Sequence, residues 1–539
     1  MTETAPPLAV YYYRDNFQTL IEHALSFSHL LTECEKQWLA DYQTLAMQTQ
    51  CLLVRILSRK GPYYRQDKFQ YPELDDIAAR FDELRAHGFI DFPETLPFAD
   101  IADKLTKGEL QPLLNGNKHT TKKALLSLIE PQHNIDQTQL PCPCFCLQQA
   151  EILPVLLGLF FANHRQDLSQ FVLNDLGVQR FEDYQYTGQH AYFHHRSELD
   201  ALLTINQIKQ DWFCNPNAEV STLLTWLQAV PVADCHKGLQ RKSQALISQL
   251  ARQLERQQDA KAAMPWYQRT NMPPSRERQA RFYLQQGEFD QAKRLLDEML
   301  ATPFGKRETI TAYTLLKQWQ KRAQASALEG QPRQVATENR EDLALKLQGQ
   351  RVEHAVCQHY QQDGWQCFYS ENHFLNGLFG LAFWHVIFSP VPYAFIHPFQ
   401  SRPLDMYHDD FCQSRQQAIQ QVFEHIKTQG LTECHATYQQ KFAIQNDWVH
   451  WGAFDPQWID LAEQHIERST LIGLFEYLLQ DLRDHKIGMP DLIAFKDGQF
   501  RWVEVKGPGD KLQHHQKEWQ KTMTQLGIDY CTAYVEVID

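Results

Sequence analysis

The sequence lacks an apolar run able to cross a bilayer, a cysteine spacing typical of a disulfide framework, and any surplus of positive charge. Its longest apolar runs are LPVLLGLFFA at 153–162 and the stretch from Phe374 to Phe388. A span needs roughly 20 apolar residues, so the first is too short, and the second is interrupted by Asn376 and His385. Both are expected to be buried helices. The start, MTETAPPLAVYYYRD, has no basic segment followed by an apolar stretch, so no secretory signal is read there. Twelve scattered cysteines are most simply free thiols in a reducing compartment. Cys142, Cys144 and Cys146 in PCPCFC cluster, but residues spaced by two chelate poorly together and no matching second pair follows. No Walker loop, GxSxG or HExxH element is present, which removes phosphate-cradle, serine-hydrolase and zinc-protease readings. With 52 Lys and Arg against 65 Asp and Glu, the formal charge is −13. Any polyanionic ligand must therefore meet a local basic patch, and its binding must be salt-sensitive.

What is present is an ordinary globular composition, 43% hydrophobic and 12% aromatic. At roughly 150 residues per domain, 539 residues suggest about three or four. Residues 16–92 show helical spacing of apolar side chains, including QTLAMQTQCLLVRILSRKG at 43–61 and a helix stopping near Gly88. Arg59, Lys60, Arg65 and Lys68, interleaved with Tyr63 and Tyr64, form the best basic-aromatic patch of the first half and a candidate DNA contact; a solvated helix end is the alternative. At 98–129, two short helices separated by a Gly-Asn turn carry Lys118, Lys122 and Lys123 at the start of the second. A helix N-terminus with cationic side chains suits a phosphate, and the segment resembles a SAP motif, a small binder of the DNA backbone. From about 150 to 345 the pattern is helical, and RQARFYLQQGEFDQAKRLLDEML at 279–300 resembles one tetratricopeptide-like hairpin, with a turn at Gly287 and Phe282, Phe289, Ala292 and Leu296 at packing positions. The polar stretch 330–351 is expected on the surface, with the last domain boundary near its end. The expected architecture is multidomain and mostly α. It has an N-terminal helical DNA-binding region (1–95), a SAP-like motif (96–135), a helical linker (136–350) and a C-terminal α/β domain (351–539).

The last 55 residues change character. GMPDLIAF (488–495), the turn KDGQ and FRWVEVKG (500–507) read as a hairpin. Residues two apart on a strand share a face, so Glu504 and Lys506 point together, and Asp491 reaches that face from the preceding strand. A helix over 511–527 follows, with Leu512, Trp519, Met523 and Leu526 on its buried side, then a strand over 530–538. Hydrolysing a phosphodiester requires an anionic nucleophile to approach an anionic phosphate. Divalent cations solve that problem, and hard ones such as magnesium or manganese select carboxylates, here Asp491 and Glu504, with the Val505 carbonyl as a further ligand. A lysine beside them holds the attacking water or steadies developing charge. Proline-aspartate followed by Glu-x-Lys also occurs on ordinary hairpins with surface carboxylates. The order of elements argues against that. Gly507-Pro508-Gly509 reads as a tight turn allowing DNA to approach.

The full string GMPDLIAFKDGQFRWVEVKGPGDKLQHHQKEW is more specific and resembles the VRR-NUC domain of the PD-(D/E)xK nucleases. Upstream, GWQCFYSENHFLNGLFGLAFWHVIF and VPYAFIHPFQSRPLDMY resemble the catalytic region of the Fanconi-associated nuclease family. The resemblance covers nearly the whole chain in that family's order, without the ubiquitin-binding zinc finger of some eukaryotic members. It implies a bacterial-type, cytoplasmic, nucleoid-associated enzyme with a restriction-endonuclease-like C-terminal domain. The implied activity is structure-selective cleavage near a 5′ flap and 5′-to-3′ trimming of branched duplex DNA in interstrand-crosslink repair, using one or two magnesium or manganese ions. It also makes Glu371 in YSENHF a metal ligand, although a glutamate at that place could merely favour a helix N-terminus. Gln516 is expected to orient Lys506 or a phosphate, or else to satisfy a backbone group. The rival readings are a junction resolvase or restriction-like enzyme of the same fold, and a DNA-binding scaffold that has lost turnover.

Overall fold

A computed structural model describes residues 8–538 except 115–118, 131, 164, 186–191, 233–235, 259, 324–338, 348 and 409. It divides into two units, Met1–Val178 with Ala191–Asn215 and Pro231–Leu239, and Gln179–His190 with Pro216–Val230 and Gln240–Asp539. Helices dominate, as expected.

In the first unit the apolar stripes become the helices Tyr12–Ser26, Glu33–Thr44, Met47–Leu57 and Ile77–Ala86. They bury Phe17, Leu20, Tyr42, Leu52 and Leu53 completely. Thr32 opens the second helix with a capping box, its hydroxyl accepting from Glu35 N while the Glu35 carboxylate accepts from Thr32 N. Five short strands were not expected here: β1 (Tyr63–Arg65), β2 (Ile90–Asp91), β3 (Thr95–Pro97), β4 (Asn134–Asp136) and β5 (Cys144–Leu147). They pair antiparallel in the orders β1-β5-β2 and β3-β4. Thus 144–147, read from sequence as part of a helical linker beginning at 136, is the middle strand of a small sheet. Pro141 and Pro143 bar a helix there, and Cys144 and Phe145 are fully buried. The SAP-like segment forms three short helices rather than two, Phe98–Ala102, Lys107–Leu113 and Lys122–Leu126, the last two capped by Thr106 and Thr121. Its Gly-Asn turn and Lys118 lie outside the described residues.

The second unit contains the helical hairpin. Gly287, at φ 76°, ends the helix Ser275–Gln286 and turns the chain into Phe289–Ala301. These two and Lys306–Ala323 bury Ala280, Leu284, Ala292, Leu296, Met299, Ala312 and Leu315. Phe282, expected at a packing position, is only half-buried and Ala280 and Leu284 take its place. Arg276 and Glu308 form a buried ion pair, with Nε to Oε1 at 2.9 Å.

The C-terminal sheet is mixed, in the order β6-β10-β9-β8-β7, from β6 (Arg340–Leu345), β7 (Gln366–Tyr369), β8 (Leu492–Lys496), β9 (Gln499–Lys506) and β10 (Asp529–Val537). β10 runs parallel to β6 and β9, while β7, β8 and β9 pair antiparallel. The strand β6 corrects the reading of helices through 345: an alternating, half-exposed, charged stretch suits the edge of a sheet. The helix Val352–Gln362 covers one face over Leu492, Ala494, Val503, Val505 and Ala533. The other face carries Ile493, Phe495 and Trp502 against Phe374, Trp519 and Met523. As expected, the apolar run after Phe374 is buried helix, His373–Ala382 followed by Trp384–Ile387. Its glycines are there for close approach: a Cβ on Gly377 would meet the Phe454 ring at 2.0 Å, and one on Gly380 would meet Trp448 Cβ at 2.7 Å.

Replacing Glu308 with alanine leaves the buried Arg276 guanidinium without its carboxylate and Phe304 N without its acceptor. The expected loss is about 3–5 kcal/mol, read as a lower urea midpoint for unfolding of the helical hairpin; an unchanged midpoint contradicts the assignment.

Candidate active site

The site grows from the β8–β9 hairpin. Asp497 and Gly498 both adopt positive φ, 50° and 78°, the two-residue turn whose twist matches that of the strands. This turn sets Leu492 opposite Val503 and Ile493 opposite Trp502. One step further the register brings Asp491 opposite Glu504, and alternation puts Glu504 and Lys506 on the Trp502 face. Val505 N donates to Asp491 Oδ2 at 2.9 Å. Lys506 Nζ lies 2.8 Å from Glu504 Oε1. The helix His514–Gln525 packs on the same face through Trp519 and Met523 and delivers Gln516. Gln516 Oε1 accepts from Lys506 Nζ at 3.1 Å and from Gln513 N at 2.8 Å, while its Nε2 donates to Glu504 Oε1 at 2.5 Å. Gln516 thus bonds at once to Lys506 and to the Gln513 backbone, two of the three partners weighed for it. Glu504 is 1% exposed and Lys506 7%, and Glu504 Oε2 is buried without a hydrogen-bond partner.

The loop bearing Asp491 is tied down on every side. The Asp491 carbonyl accepts from Ser370 N and Glu371 N, both at 2.9 Å. Asn372 Oδ1 accepts from Met489 N at 3.2 Å, and Trp519 Nε1 donates to Ile487 O at 3.1 Å. Gly488 has φ 81°, and a Cβ there would lie 2.1 Å from the His515 ring, so both conformation and space demand glycine. Glu371 does not open the apolar helix, as the sequence suggested. It stands ahead of the Asn372 cap at φ 30°, a costly conformation for a residue with a side chain. Its Oε2 accepts from the Tyr369 hydroxyl at 2.6 Å and its Oε1 from Asn372 Nδ2 at 3.2 Å.

Burial pushes the Glu504 carboxyl up to about 8; the charge of Asp491 adds to the shift and Lys506 opposes it. Burial likewise raises Asp491 to about 6, with Val505 N–H and Lys506 opposing, and Glu353 and Glu371 reinforcing. Glu353, in the first turn of Val352–Gln362, thus adds a fourth carboxylate to the neighbourhood, one that no local pattern announces. Buried carboxylates that resist ionisation side by side suit a hard divalent cation, which relieves their repulsion and takes oxygen ligands. Asp491 and Glu504 oppose each other as such a pair, and the unpartnered Glu504 Oε2 fits that chemistry. Among the described residues no three His, Cys, Asp or Glu side chains converge at ligand distance, the PCPCFC cysteines included. Glu371 faces Tyr369 and Asn372 instead, and Glu504 Oε1 faces Lys506 and Gln516.

The basic patch near residue 60 is only partly a surface. Arg59, Lys60 and Lys68 are exposed, though Arg59 donates to Lys68 O and the Tyr71 hydroxyl, both at 3.0 Å, and lies over Phe69. Arg65 is corrected. It is 5% exposed and held between Asp67 and Glu109, each at 2.7 Å, so its charge is spent inside the fold. Tyr64, expected in the patch, is also buried, its hydroxyl donating to Arg59 O. Lys122 is half-buried and donates to Asp103 O at 2.8 Å, whereas Lys123 is exposed.

The FAN1 HTH domain family matches residues 11–91 and the VRR-NUC domain family residues 427–537. The chain is similar to the Fanconi-associated nuclease 1 homolog of Pseudomonas aeruginosa, 31% identical over 97% of this chain and 96% of that one. It is also similar to the homolog of Oryza sativa subsp. japonica, 25% identical over 96% of this chain and 62% of that one. Among solved structures, paFAN1 bound to a 5′-flap DNA with a gap superposes with a TM-score of 0.91 at 29% identity, covering 99% of this chain and 100% of that one.

The carboxyl shifts carry a sign. Both folded values lie above the ordinary carboxylate range, so their contribution to stability is full below the unfolded pKa and is lost as pH rises through the folded one. For Glu504 that window runs from about 4.5 to about 8. In EDTA, the unfolding free energy is expected to fall across it, and Glu504→Gln, which keeps the shape and cannot ionise, should flatten the fall by an amount on the order of a few kcal/mol. Profiles of variant and wild type that stay parallel contradict this.

Proposed function

This chain belongs to the Fanconi-associated nuclease family and is a structure-selective, metal-dependent DNA nuclease, and from that premise we propose that it cuts branched duplex DNA beside a 5′ flap. Asp491, Glu504, Glu371 and the Val505 carbonyl hold one or two magnesium or manganese ions in this reading. The observation that carries it is Glu504 Oε2, buried without a donor, opposite Asp491 and beside Lys506. The 5′-flap assignment is supported by paFAN1, described as bound to 5′-flap DNA. Trimming in the 5′-to-3′ sense, repair of interstrand crosslinks and action at the bacterial nucleoid complete the proposal. No helix among the described residues is long and apolar enough to cross a membrane.

Each residue has a stated task. Asp491 presents one carboxylate oxygen while Val505 N–H holds the other. Glu504 shares its Oε1 with Lys506 and Gln516 and keeps Oε2 free for a ligand role. When bound, the ion supplies Lewis acidity, neutralising phosphate charge and acidifying water. Lys506 carries three donor protons; Glu504 and Gln516 take two, and the third serves the attacking water or the charge growing on the phosphate. Gln516 fixes both partners from the helix.

Residues 1–95 and 96–135 are assigned to holding the duplex backbone through Arg59, Lys60, Lys68, Lys122 and Lys123, with Lys118 as a further candidate outside the described residues. Residues 136–350 connect, and 351–539, joined by β6, cut. Contacts to phosphates position a protein without reading bases, which suits selection of a shape.

On a labelled 5′-flap duplex with manganese, wild type is expected to cut near the branch. Asp491→Ala and Glu504→Ala should lose more than about 100-fold, the upper loss seen for groups one step removed from a metal, while still binding the DNA. Fork and four-way substrates should be cut more slowly. Binding without cleavage under any divalent ion overturns the nuclease mechanism, and preference for the four-way junction overturns the flap assignment.

A further inference from the structure

Tyr369 is the last residue of β7, paired with Leu492 immediately after Asp491, and sequence reasoning gave it no role. The residue is 38% exposed, with the His354 ring edge-on and its centroid 6.1 Å away. An exposed tyrosine can satisfy its hydroxyl with water, yet this one donates to Glu371 Oε2 at 2.6 Å. Glu371 needs such a hold. Its backbone sits at φ 30°, pinned through its N–H to the Asp491 carbonyl. Its other carboxylate oxygen accepts from Asn372, itself tied to Met489 N.

The choice of donor is informative. Glu371 N donates to the Asp491 carbonyl and Asp491 lies opposite Glu504, so three carboxylates of like charge share this end of the sheet. A lysine or arginine bonded to Glu371 would fix the carboxylate but add a positive charge that competes with a divalent cation. A neutral hydroxyl fixes it without that charge. A carboxylate has about four lone-pair directions; Tyr369 and Asn372 use two, and two remain.

We propose that Tyr369 is a positioning residue that presets the Glu371 carboxylate for divalent-cation binding, acting through its hydroxyl from the rigid end of β7. The inference rests on the reading of Glu371 as a ligand given above. Partners that orient a ligand contribute about 10–100-fold to metal affinity.

The test measures manganese binding to the full-length protein without DNA, from the free-ion electron paramagnetic resonance signal, for wild type, Tyr369→Phe and Glu371→Ala. Tyr369→Phe should weaken binding about tenfold and raise the manganese concentration for half-maximal flap cleavage by a similar factor, with the loss recovered as manganese is raised. Its melting temperature in EDTA should match wild type, because the ring and its packing are kept. If Glu371→Ala weakens binding and Tyr369→Phe does not, the positioning role is overturned while the ligand assignment stands. If Glu371→Ala binds manganese as wild type does, the ligand assignment fails and takes this inference with it. A purely structural tyrosine would move the melting temperature and leave the manganese dependence alone.

Discussion

Two carboxylates held opposite each other, one of them fully buried, are the constraint from which the rest follows. The β8–β9 register forces Asp491 and Glu504 together, and burial raises both carboxyls, to about 6 and about 8. One lysine offsets part of their repulsion, and Gln516 bonds to both it and Glu504. A site with this imbalance is poorly matched to its own side chains and well matched to a divalent cation. Stability is given up where function needs charge concentrated.

Holding that arrangement takes much of the C-terminal domain. Helices on both faces of the sheet make the hairpin rigid, and the Asp491 carbonyl ties the loop before β8 to Ser370 and Glu371 at the end of β7. Residues more than a hundred positions apart are thereby fixed within one hydrogen bond. Gly377 and Gly380 let their helix approach Phe454 and Trp448, and Gly488 gives way to His515. Each is a place where an added Cβ would force its neighbour to move.

Local patterns were legible where they decide structure locally. The Lys-Asp-Gly-Gln turn, the shared face of Glu504 and Lys506, and the burial of Trp519 and Met523 all follow from period-two and helical spacing, and the structure has them. What escaped was set by partners distant in sequence. Arg65 looked like a DNA contact because Glu109, which neutralises it, is 44 residues away. β5 looked like the start of a helical linker because its partner β1 lies some 80 residues earlier, and β6 looked like a polar surface because β10, which it pairs with, closes the chain. Glu353 and Tyr369 gave no signal because their roles depend on what the fold brings beside them.

A net charge of −13 sits oddly with a polyanionic substrate, but in the proposed reading Asp491, Glu504 and Glu371 face cations. The most direct measurement is anomalous diffraction from crystals of this chain soaked in manganese. A manganese peak bounded by Asp491, Glu504, Glu371 and the Val505 carbonyl is expected. Manganese bound only elsewhere, with none at these carboxylates, would contradict it.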